Sequence, residues 1–253
     1  MDNRFENKVA LVTGAGSGIG RATAQAFAAE GAKVVVADRN IKGATETLAL
    51  ITEAGGEAKA IEVDISDSDS VQAMINFCIA KYGQLDCAAN NAGILGSMAP
   101  LTADYDEATF NQVIDVNIIG TWLCMKYELP HLIKTGGKIV NTASIAGLVG
   151  FPTLSAYTAS KHAILGMTKT AALEYAKQGV RINAVCPGGT RTPMAGYGTG
   201  HDEEADKSAA AYSPMGRVAE PEEMADAILY LCSEQSSYVT GHPLVVDSGM
   251  VAQ

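Results

Sequence analysis

Short, uniformly apolar runs alternate along the chain with longer segments in which apolar residues recur at helical spacing. The short runs are rich in β-branched residues, which favour strands. They predict seven strands, at residues 8–12, 33–37, 58–63, 85–89, 138–142, 181–185 and 244–246. Strands that are apolar throughout and separated by helices are typical of a parallel sheet. The pattern therefore predicts an α/β fold, with a doubly wound parallel sheet and helices on both faces.

The helical segments carry recognisable start signals. Helices are predicted at residues 18–30, 44–54, 106–133 and 155–177, with two more that begin near Ser66 and at Pro221. Ser66 is followed three residues later by Asp69, a carboxylate variant of the capping box. Proline is favoured in the first turn of a helix, so Pro221 marks the start of the last one.

One segment breaks this alternation of strands and helices. Residues 190–217 are rich in Gly, Ala and charged residues and show no clear periodicity. A loop of this length in a compact domain is usually a lid or is disordered, and we interpret this one as a lid. Elsewhere no linker, repeat or low-complexity tract divides the chain, so residues 1–253 are predicted to form a single domain.

The composition narrows the range of partners and compartments. The chain has 253 residues, is 47% hydrophobic and carries a formal net charge of −10. Such a surface repels phosphate backbones and anionic lipid, so we expect neither nucleic acid nor membrane as a partner. No run reaches the roughly 18 uncharged apolar residues of a membrane span, and no signal-peptide pattern is apparent. We therefore expect a cytoplasmic protein.

The spacing of the cysteines and histidines favours neither disulfide bonds nor a zinc site. The cysteines are odd in number, widely spaced and without a C-x-x-C pattern: Cys78, Cys87, Cys124, Cys186 and Cys232. We interpret them as buried thiols in a reducing compartment. The four histidines include no H-x-x-x-H pair, so no metal site is predicted.

A glycine-rich turn joins the first predicted strand to the first predicted helix. Gly14, Gly18 and Gly20 fit the spacing G-x-x-x-G-x-G, whereas G-x-G-x-x-G would place its third glycine at Ile19. Glycines before a helix let the backbone approach a pyrophosphate closely, and the helix N-terminus attracts its charge. The turn therefore predicts a Rossmann-type dinucleotide site, with a purely structural turn as the alternative.

Asp38 ends the second predicted strand, where the adenine ribose of a dinucleotide should lie. A carboxylate there accepts hydrogen bonds from the ribose hydroxyls and repels a 2′-phosphate, which favours NAD. Ser17 supports this interpretation, because it places no cation inside the glycine turn. Arg39 weakens it, because an arginine can pair with a 2′-phosphate. The alternative interpretation of Asp38 is a turn-forming residue.

Tyr157 and Lys161 stand four residues apart in a predicted helix, so both side chains lie on one face. Ser144 follows the strand at 138–142, at the edge where open α/β sheets bind ligands. Hydride transfer from an alcohol requires a proton transfer at its oxygen, and an unperturbed tyrosine titrates too high to accept that proton efficiently. We expect the ammonium of Lys161, together with a positively charged nicotinamide, to lower the pKa of Tyr157, and we expect Ser144 to hold the substrate oxygen.

Taken together, these features resemble the classical short-chain dehydrogenases/reductases over essentially the whole chain. The resemblance rests on the glycine turn at 13–20, Asp64, Asn90-Asn91-Ala92-Gly93, Asn117 within DVNIIG, Ser144, Tyr157-x-x-x-Lys161 and Pro187-Gly188. It implies that Tyr157 is the general acid/base, that Lys161 binds the nicotinamide ribose and that Ser144 orients the substrate. It also implies that Asn117 holds a water of a proton relay. A helix-interior asparagine satisfied by backbone groups is the alternative for Asn117.

The same resemblance implies a cofactor site along one edge of the sheet. Asp64 and Ile65 would contact adenine, Asn90 would brace the sheet, and residues 187–192 would meet the nicotinamide carboxamide. Thr190 stands where the family often has Val or Ile. With NAD as the cofactor, the predicted binding residues are Gly14, Ser17, Gly18, Ile19, Asp38, Asp64, Ile65, Asn91, Gly93, Tyr157, Lys161, Pro187, Thr190 and Thr192.

Three functions remain open from the sequence. The first is an NAD-dependent oxidoreductase that interconverts a secondary alcohol and its ketone. The second is a reductase of 3-oxoacyl groups on acyl carrier protein, which Asp38 and the negative net charge disfavour. The third is a non-catalytic dinucleotide sensor, although relatives of that kind usually lose the tyrosine or the lysine. Both residues are present in this chain.

The substrate pocket is expected to be mostly apolar and uncharged. Its predicted lining is residues 94–98, 145–146, 150–154 and the lid, with Arg191 as the only nearby arginine. This predicts a small or medium neutral alcohol or ketone, cyclic substrates included.

The helices at 106–133 and 155–177 resemble the paired helices through which the family forms tetramers. Apolar residues expected on their outer faces, some of which must belong to the core, are Trp122, Met125, Tyr127, Leu165, Met167 and Leu173. A homotetramer, or failing that a dimer, is therefore expected.

Overall fold

The computed structural model describes residues 3–98, 100–196 and 210–252. Its strands are β1 (Val9–Thr13), β2 (Lys33–Asp38), β3 (Glu57–Glu62), β4 (Cys87–Asn90), β5 (Lys138–Thr142), β6 (Arg181–Pro187) and β7 (Pro243–Val246). They form one parallel sheet in the order β3-β2-β1-β4-β5-β6-β7. Every predicted strand is therefore confirmed, with its ends shifted by no more than two residues.

Helices connect the strands in the predicted places. Within the described residues they are α1 (Gly18–Ala29), α2 (Ile41–Glu53), α3 (Ser68–Tyr82), α4 (Glu107–Ile114), α5 (Thr121–Thr135), α6 (Ser155–Tyr175) and α7 (Pro221–Cys232). A π-helical turn, Asp115–Gly120, joins α4 to α5, so the long helix predicted at 106–133 is interrupted. None of these helices is long and apolar enough to cross a membrane.

The cap predicted for α3 is wrong by one residue. Asp67, not Ser66, is the N-cap, and its side chain accepts a hydrogen bond from the backbone N–H of Asp69. Ser66 lies one residue before the cap, where its hydroxyl and its backbone N–H both donate to the Asp64 carboxylate.

The strands bury side chains on both faces of the sheet. On β1, Val9 and Leu11 join a core formed with α3, α5 and α6. Ala10 and Val12 face the opposite core, formed with α1, α2 and α7. This alternation confirms the doubly wound arrangement, because a fully buried strand supplies apolar side chains to two helical layers.

The strand order reverses between β1 and β4, which opens a crevice at their carboxyl ends. Thr13 at the end of β1 pairs with Ala37 on one side and with Asn90 on the other. The register therefore brings the residues that follow these strands, including Gly14, Asp38 and Asn91, to the same edge of the sheet.

A buried polar cluster braces the centre of the sheet. The Asn90 amide donates to Glu128 Oε2 at 3.0 Å and to Asn141 Oδ1 at 3.1 Å, and Asn141 donates to Thr168 at 2.9 Å. Asn90 thus has the bracing role that the resemblance implied. Glu128 is fully buried, and burial raises the pKa of its carboxyl to about 7.

Glu128 should make stability depend on pH, because its folded-state pKa lies above the ordinary value of 4.5. The folded chain holds the proton of Glu128 more tightly than the unfolded chain does, and this difference stabilises the fold. The stabilisation is fully present below about pH 4.5 and is lost as the pH rises through about 7. Glu128→Gln keeps the shape without the titration. In urea titrations, the wild type should lose about 2–3 kcal/mol of unfolding free energy relative to Glu128→Gln as the pH is raised from 5 to 8.

The control for this comparison is Glu53→Gln, a substitution at an exposed carboxyl at the end of α2. Its urea midpoint should follow that of the wild type across the same pH range. If Glu128→Gln also runs parallel to wild type, Glu128 is not protonated in the folded protein.

Candidate active site

A cavity of about 440 Å³ runs along the carboxyl edge of the sheet. Asp38, the last residue of β2, and Asp64, which follows β3, lie on one side of the switch point, and Ser144 and Tyr157 lie beyond β4 on the other. The predicted catalytic residues other than Asn117, and all the predicted cofactor-binding residues, line the cavity: Gly14, Ser17, Gly18, Ile19, Asp38, Asp64, Ile65, Asn91, Gly93, Ser144, Tyr157, Lys161, Pro187, Thr190 and Thr192. The segments 145–146 and 150–154, which were expected to line the substrate pocket, do not line this cavity. The crevice thus brings together residues that are far apart in the sequence.

Lys161 is the most deeply buried charged group on the cavity wall. Only 3% of the residue is exposed, and its ammonium donates a hydrogen bond of 2.8 Å to the carbonyl of Thr142 at the end of β5. Burial lowers the pKa of Lys161 to about 8. Its Nζ lies 5.3 Å from the centre of the Tyr157 ring, as the i, i+4 spacing predicts.

The protein's own groups raise the pKa of Tyr157. Burial in the cavity wall raises it, and a hydrogen bond with Ser144 opposes this shift only in part. The expected lowering of the pKa combined Lys161 with the positive nicotinamide, and it stays a prediction for the enzyme with its cofactor. In the protein's own groups desolvation, which penalises the phenolate, has the larger effect. Ser144 also accepts a hydrogen bond of 3.1 Å from the backbone N–H of Ala146, which orients its hydroxyl.

Asn117 lies behind the cavity, in the π-helical turn, and is fully buried. Its side-chain oxygen accepts from the backbone N–H of Ile94, and its amide donates to the carbonyl of Ile94 and to the Ser160 hydroxyl. Ser160 in turn donates to the carbonyl of Tyr157 at 2.7 Å. The side chain of Asn117 therefore links Ile94 to the helical turn that carries Tyr157. The water of a proton relay that Asn117 was expected to hold remains a prediction.

Ser160 is a residue that the sequence analysis missed. Its signal was its position, because a serine three residues after Tyr157 in a helix can return a hydrogen bond to the carbonyl of that residue. Cavity-lining residues that were also not predicted are Val63, Ala92, Val116, Thr142 and Ala143. Gly188 and Gly189, from the predicted segment 187–192, and Pro193, Met194 and Ala195, from the predicted lid, line the cavity as expected.

The glycine turn is shaped by close packing as well as by backbone angles. Gly14 and Gly18 have positive φ of 64° and 50°, a region in which other residues are strained. A Cβ on Gly20 would lie 2.2 Å from the carbonyl oxygen of Gly14, so no side chain fits there. The backbone along this wall is therefore free of side chains at the points where a pyrophosphate would have to approach.

Asp38 at the end of β2 is held by two backbone groups. Its Oδ2 accepts from the N–H of Gly16 at 2.8 Å, and its Oδ1 accepts from the N–H of Asn40 at 2.7 Å. Asp38 is thus a turn residue and a cavity residue at once, since each carboxylate oxygen keeps a second lone pair. Nearby, Arg39 Nε lies 3.7 Å from Asp64 Oδ2.

The two described ends of the predicted lid meet at the start of α7. Thr190 forms a parallel bridge with Ala219, and Arg191 Nε lies 3.1 and 3.2 Å from the two carboxylate oxygens of Glu220. Arg217 pairs with Glu223 in the same helical turn. Residues 197–209 lie outside the described residues, and so does the central part of this prediction.

The residues present fit a dinucleotide. The glycine wall of the cavity leaves the backbone accessible, and the Asp38 carboxylate and the buried ammonium of Lys161 stand on opposite sides of the switch point. An ammonium has three donors, and Thr142 occupies one of those of Lys161, which leaves donors for a ligand's hydroxyl groups.

Comparison with known proteins shows which family the chain resembles over its whole length. Residues 14–251 match a family model described as Enoyl-(Acyl carrier protein) reductase. The chain is 42% identical over 254 residues to cyclohexanol dehydrogenase of Acinetobacter sp., covering 100% of this chain and 98% of that protein. It is 39% identical over 249 residues to meso-2,3-butanediol dehydrogenase of Serratia marcescens, covering 98% and 96%.

A solved structure shares the whole architecture. The crystal structure of levodione reductase superposes with a TM-score of 0.92 at 36% sequence identity, covering 98% of this chain and 99% of that one. The fold, the family match and these relatives agree with the motifs that line the cavity. The chain belongs to the short-chain dehydrogenase/reductase family of oxidoreductases.

Proposed function

We propose that this protein is an NAD-dependent oxidoreductase that interconverts a neutral secondary alcohol and its ketone. The observation that carries the proposal is the convergence of Tyr157, Ser144 and Lys161 at one end of a cavity whose other end holds Asp38. The first three groups suit proton transfer at an alcohol oxygen, and the fourth suits a ribose diol.

The protein's own residues handle the proton. Ser144 holds the substrate oxygen by a hydrogen bond, and the oxygen of Tyr157 takes the hydroxyl proton during oxidation or returns it during reduction. Lys161 favours the ionised phenol through its positive charge and donates hydrogen bonds to ribose hydroxyls. When bound, the oxidised nicotinamide supplies the hydride acceptor and a second positive charge beside the phenol.

The catalytic end of the cavity favours an uncharged substrate. Apart from Lys161, the residues described there are uncharged: Ile94, Leu95, Ala143, Pro187, Met194 and Ala195. Ile94 and Leu95 belong to the segment at 94–98 that was expected to line the pocket. Arg191, the arginine that could have met a substrate anion, faces Glu220. Cyclohexanol and butanediol, which two relatives are named for, are neutral secondary alcohols.

The proposal is tested by following NAD reduction with a panel of cyclic and open-chain secondary alcohols. We expect turnover with at least one neutral alcohol. Tyr157→Phe keeps the ring but removes the proton acceptor, so we expect turnover to fall by at least about 1000-fold while NADH still binds. NADH affinity is measured by fluorescence titration of both proteins.

Two results would contradict this assignment. A Tyr157→Phe enzyme that keeps a tenth of the wild-type rate would show that Tyr157 is not the acid/base. NADH binding without turnover of any alcohol or ketone in the panel would favour the dinucleotide sensor instead.

We further propose that Asp38 makes the enzyme prefer NAD. At about 4 Å and an effective dielectric near 20, a unit-charge repulsion is of order 4 kcal/mol before screening, and Arg39 offsets part of it. We expect NAD to be favoured by about 30- to 1000-fold in kcat/KM. Asp38→Asn removes the charge and keeps an acceptor oxygen for only one of the Gly16 and Asn40 N–H groups, so the preference should narrow to less than about tenfold.

Asp38→Ser is the companion variant, since it also frees Arg39 to meet a 2′-phosphate. It should narrow or invert the preference. A wild-type enzyme that uses NADP as well as NAD, or a ratio that neither substitution changes, would show that Asp38 does not face the ribose.

We infer a homotetramer that assembles through α5 and α6. Of the residues expected on their outer faces, Trp122 and Leu173 are exposed by 44% and 81%, whereas Met125 and Leu165 are buried in the core. The exposed apolar residues support pairing of these helices between copies of the chain. Light scattering at micromolar concentration should give about four times the 26.3 kDa chain mass. A monomeric mass would contradict this.

A further inference from the structure

The carboxylate of Asp38 occupies the space that a side chain at position 16 would need. An added Cβ on Gly16 would lie 2.8 Å from Asp38 Oδ2 and 2.9 Å from Asp38 Cγ, closer than real Cβ contacts. The same carboxylate oxygen accepts the hydrogen bond from the N–H of Gly16. The aspartate therefore lies directly against the tip of the glycine turn.

At Gly16 a neighbouring side chain excludes a Cβ, whereas at the three glycines of the turn motif the backbone itself excludes one. Gly14 and Gly18 have positive φ, and Gly20 would collide with the carbonyl oxygen of Gly14. Gly16 does not have positive φ, so its backbone accepts other residues. The two contacts below 3.0 Å are both with the rotatable side chain of Asp38, and the next is the backbone nitrogen of Ala44 at 3.2 Å.

We propose that Gly16 determines cofactor specificity by leaving room for Asp38 beside the adenine ribose. The inference rests on the proposed function, because it concerns how an NAD-binding site keeps its carboxylate in place. A side chain at position 16 forces the carboxylate to rotate away and to give up the hydrogen bond from the Gly16 backbone. The site then loses its acceptor for the ribose hydroxyls and its repulsion of a 2′-phosphate.

A double-mutant cycle tests this coupling between Gly16 and Asp38. Wild type, Gly16→Ala, Asp38→Ala and the double variant are compared in kcat/KM for NAD and NADP with one alcohol, and in Kd for NADH and NADPH. We expect Gly16→Ala to lower kcat/KM for NAD by at least about tenfold and, because the carboxylate no longer repels the 2′-phosphate, to raise kcat/KM for NADP by at least about threefold. In the Asp38→Ala background the same substitution should change either value by less than about threefold.

Gly43→Ala is the matched control, because it disturbs the same turn without touching Asp38. A Cβ on Gly43 would lie 3.0 Å from the carbonyl oxygen of Gly16 and 3.3 Å from its Cα. Any effect of Gly43→Ala should therefore be the same whether or not Asp38 is present. An effect of Gly16→Ala that persists equally in the Asp38→Ala background would overturn the inference, as would an unchanged ratio of NAD to NADP efficiency.

Failure of this inference can be told apart from failure of the proposed function. If wild type neither binds nor turns over a dinucleotide, the proposed function is wrong, and the inference falls with it. If wild type prefers NAD but the effects of Gly16→Ala and Asp38→Ala simply add in the double variant, only the role proposed for Gly16 is wrong. Thermal melting checks folding: if Gly16→Ala unfolds, the double variant should recover the fold, and unfolding of both would count against the inference.

Discussion

The buried ammonium of Lys161 is the constraint on which the rest of the site depends. A charge taken out of water is costly unless it is paired and hydrogen-bonded, and burial lowers the pKa of this lysine to about 8. The carbonyl of Thr142 meets one of its donors, which ties α6 to the end of β5. That tie places Tyr157 opposite Ser144, and the Asn117–Ser160 contacts attach the segment after β4 to the same turn. We infer that a bound ribose completes the lysine's hydrogen bonds.

The tyrosine shows why charge from a ligand matters in this site. A reduction of its pKa by about 3 units requires about 4 kcal/mol in favour of the phenolate. One ammonium 5.3 Å from the ring centre supplies about 3 kcal/mol at an effective dielectric near 20, and burial opposes it. The protein's own groups therefore favour the protonated phenol. In the proposed mechanism, a bound oxidised nicotinamide would add a second positive charge to that of Lys161 and so favour the phenolate.

Much of this arrangement could be predicted from the sequence, because buried parallel strands and glycine turns leave local signals. All seven strands and the carboxyl-edge residues, from Gly14 to Thr192, could be predicted in this way. Three-dimensional contacts could not. The direction of the Tyr157 pKa shift depends on burial, Asn117 proved to lie behind the cavity wall, and the Asp38–Gly16 contact joins two loops. The π-helical turn and the Asp67 cap depend on backbone geometry that composition does not reveal.

The most direct test of this account is the effect of Lys161→Met on NADH affinity and on turnover, measured on the same folded preparation. The substitution keeps the aliphatic stem and removes the charge and its donors. The account predicts that NADH binds at least about tenfold more weakly and that kcat falls by at least about 100-fold, since one ammonium serves both the ribose and the phenol. NADH affinity equal to that of wild type would contradict the ribose contact, and an unchanged kcat would contradict the role of the buried charge in catalysis.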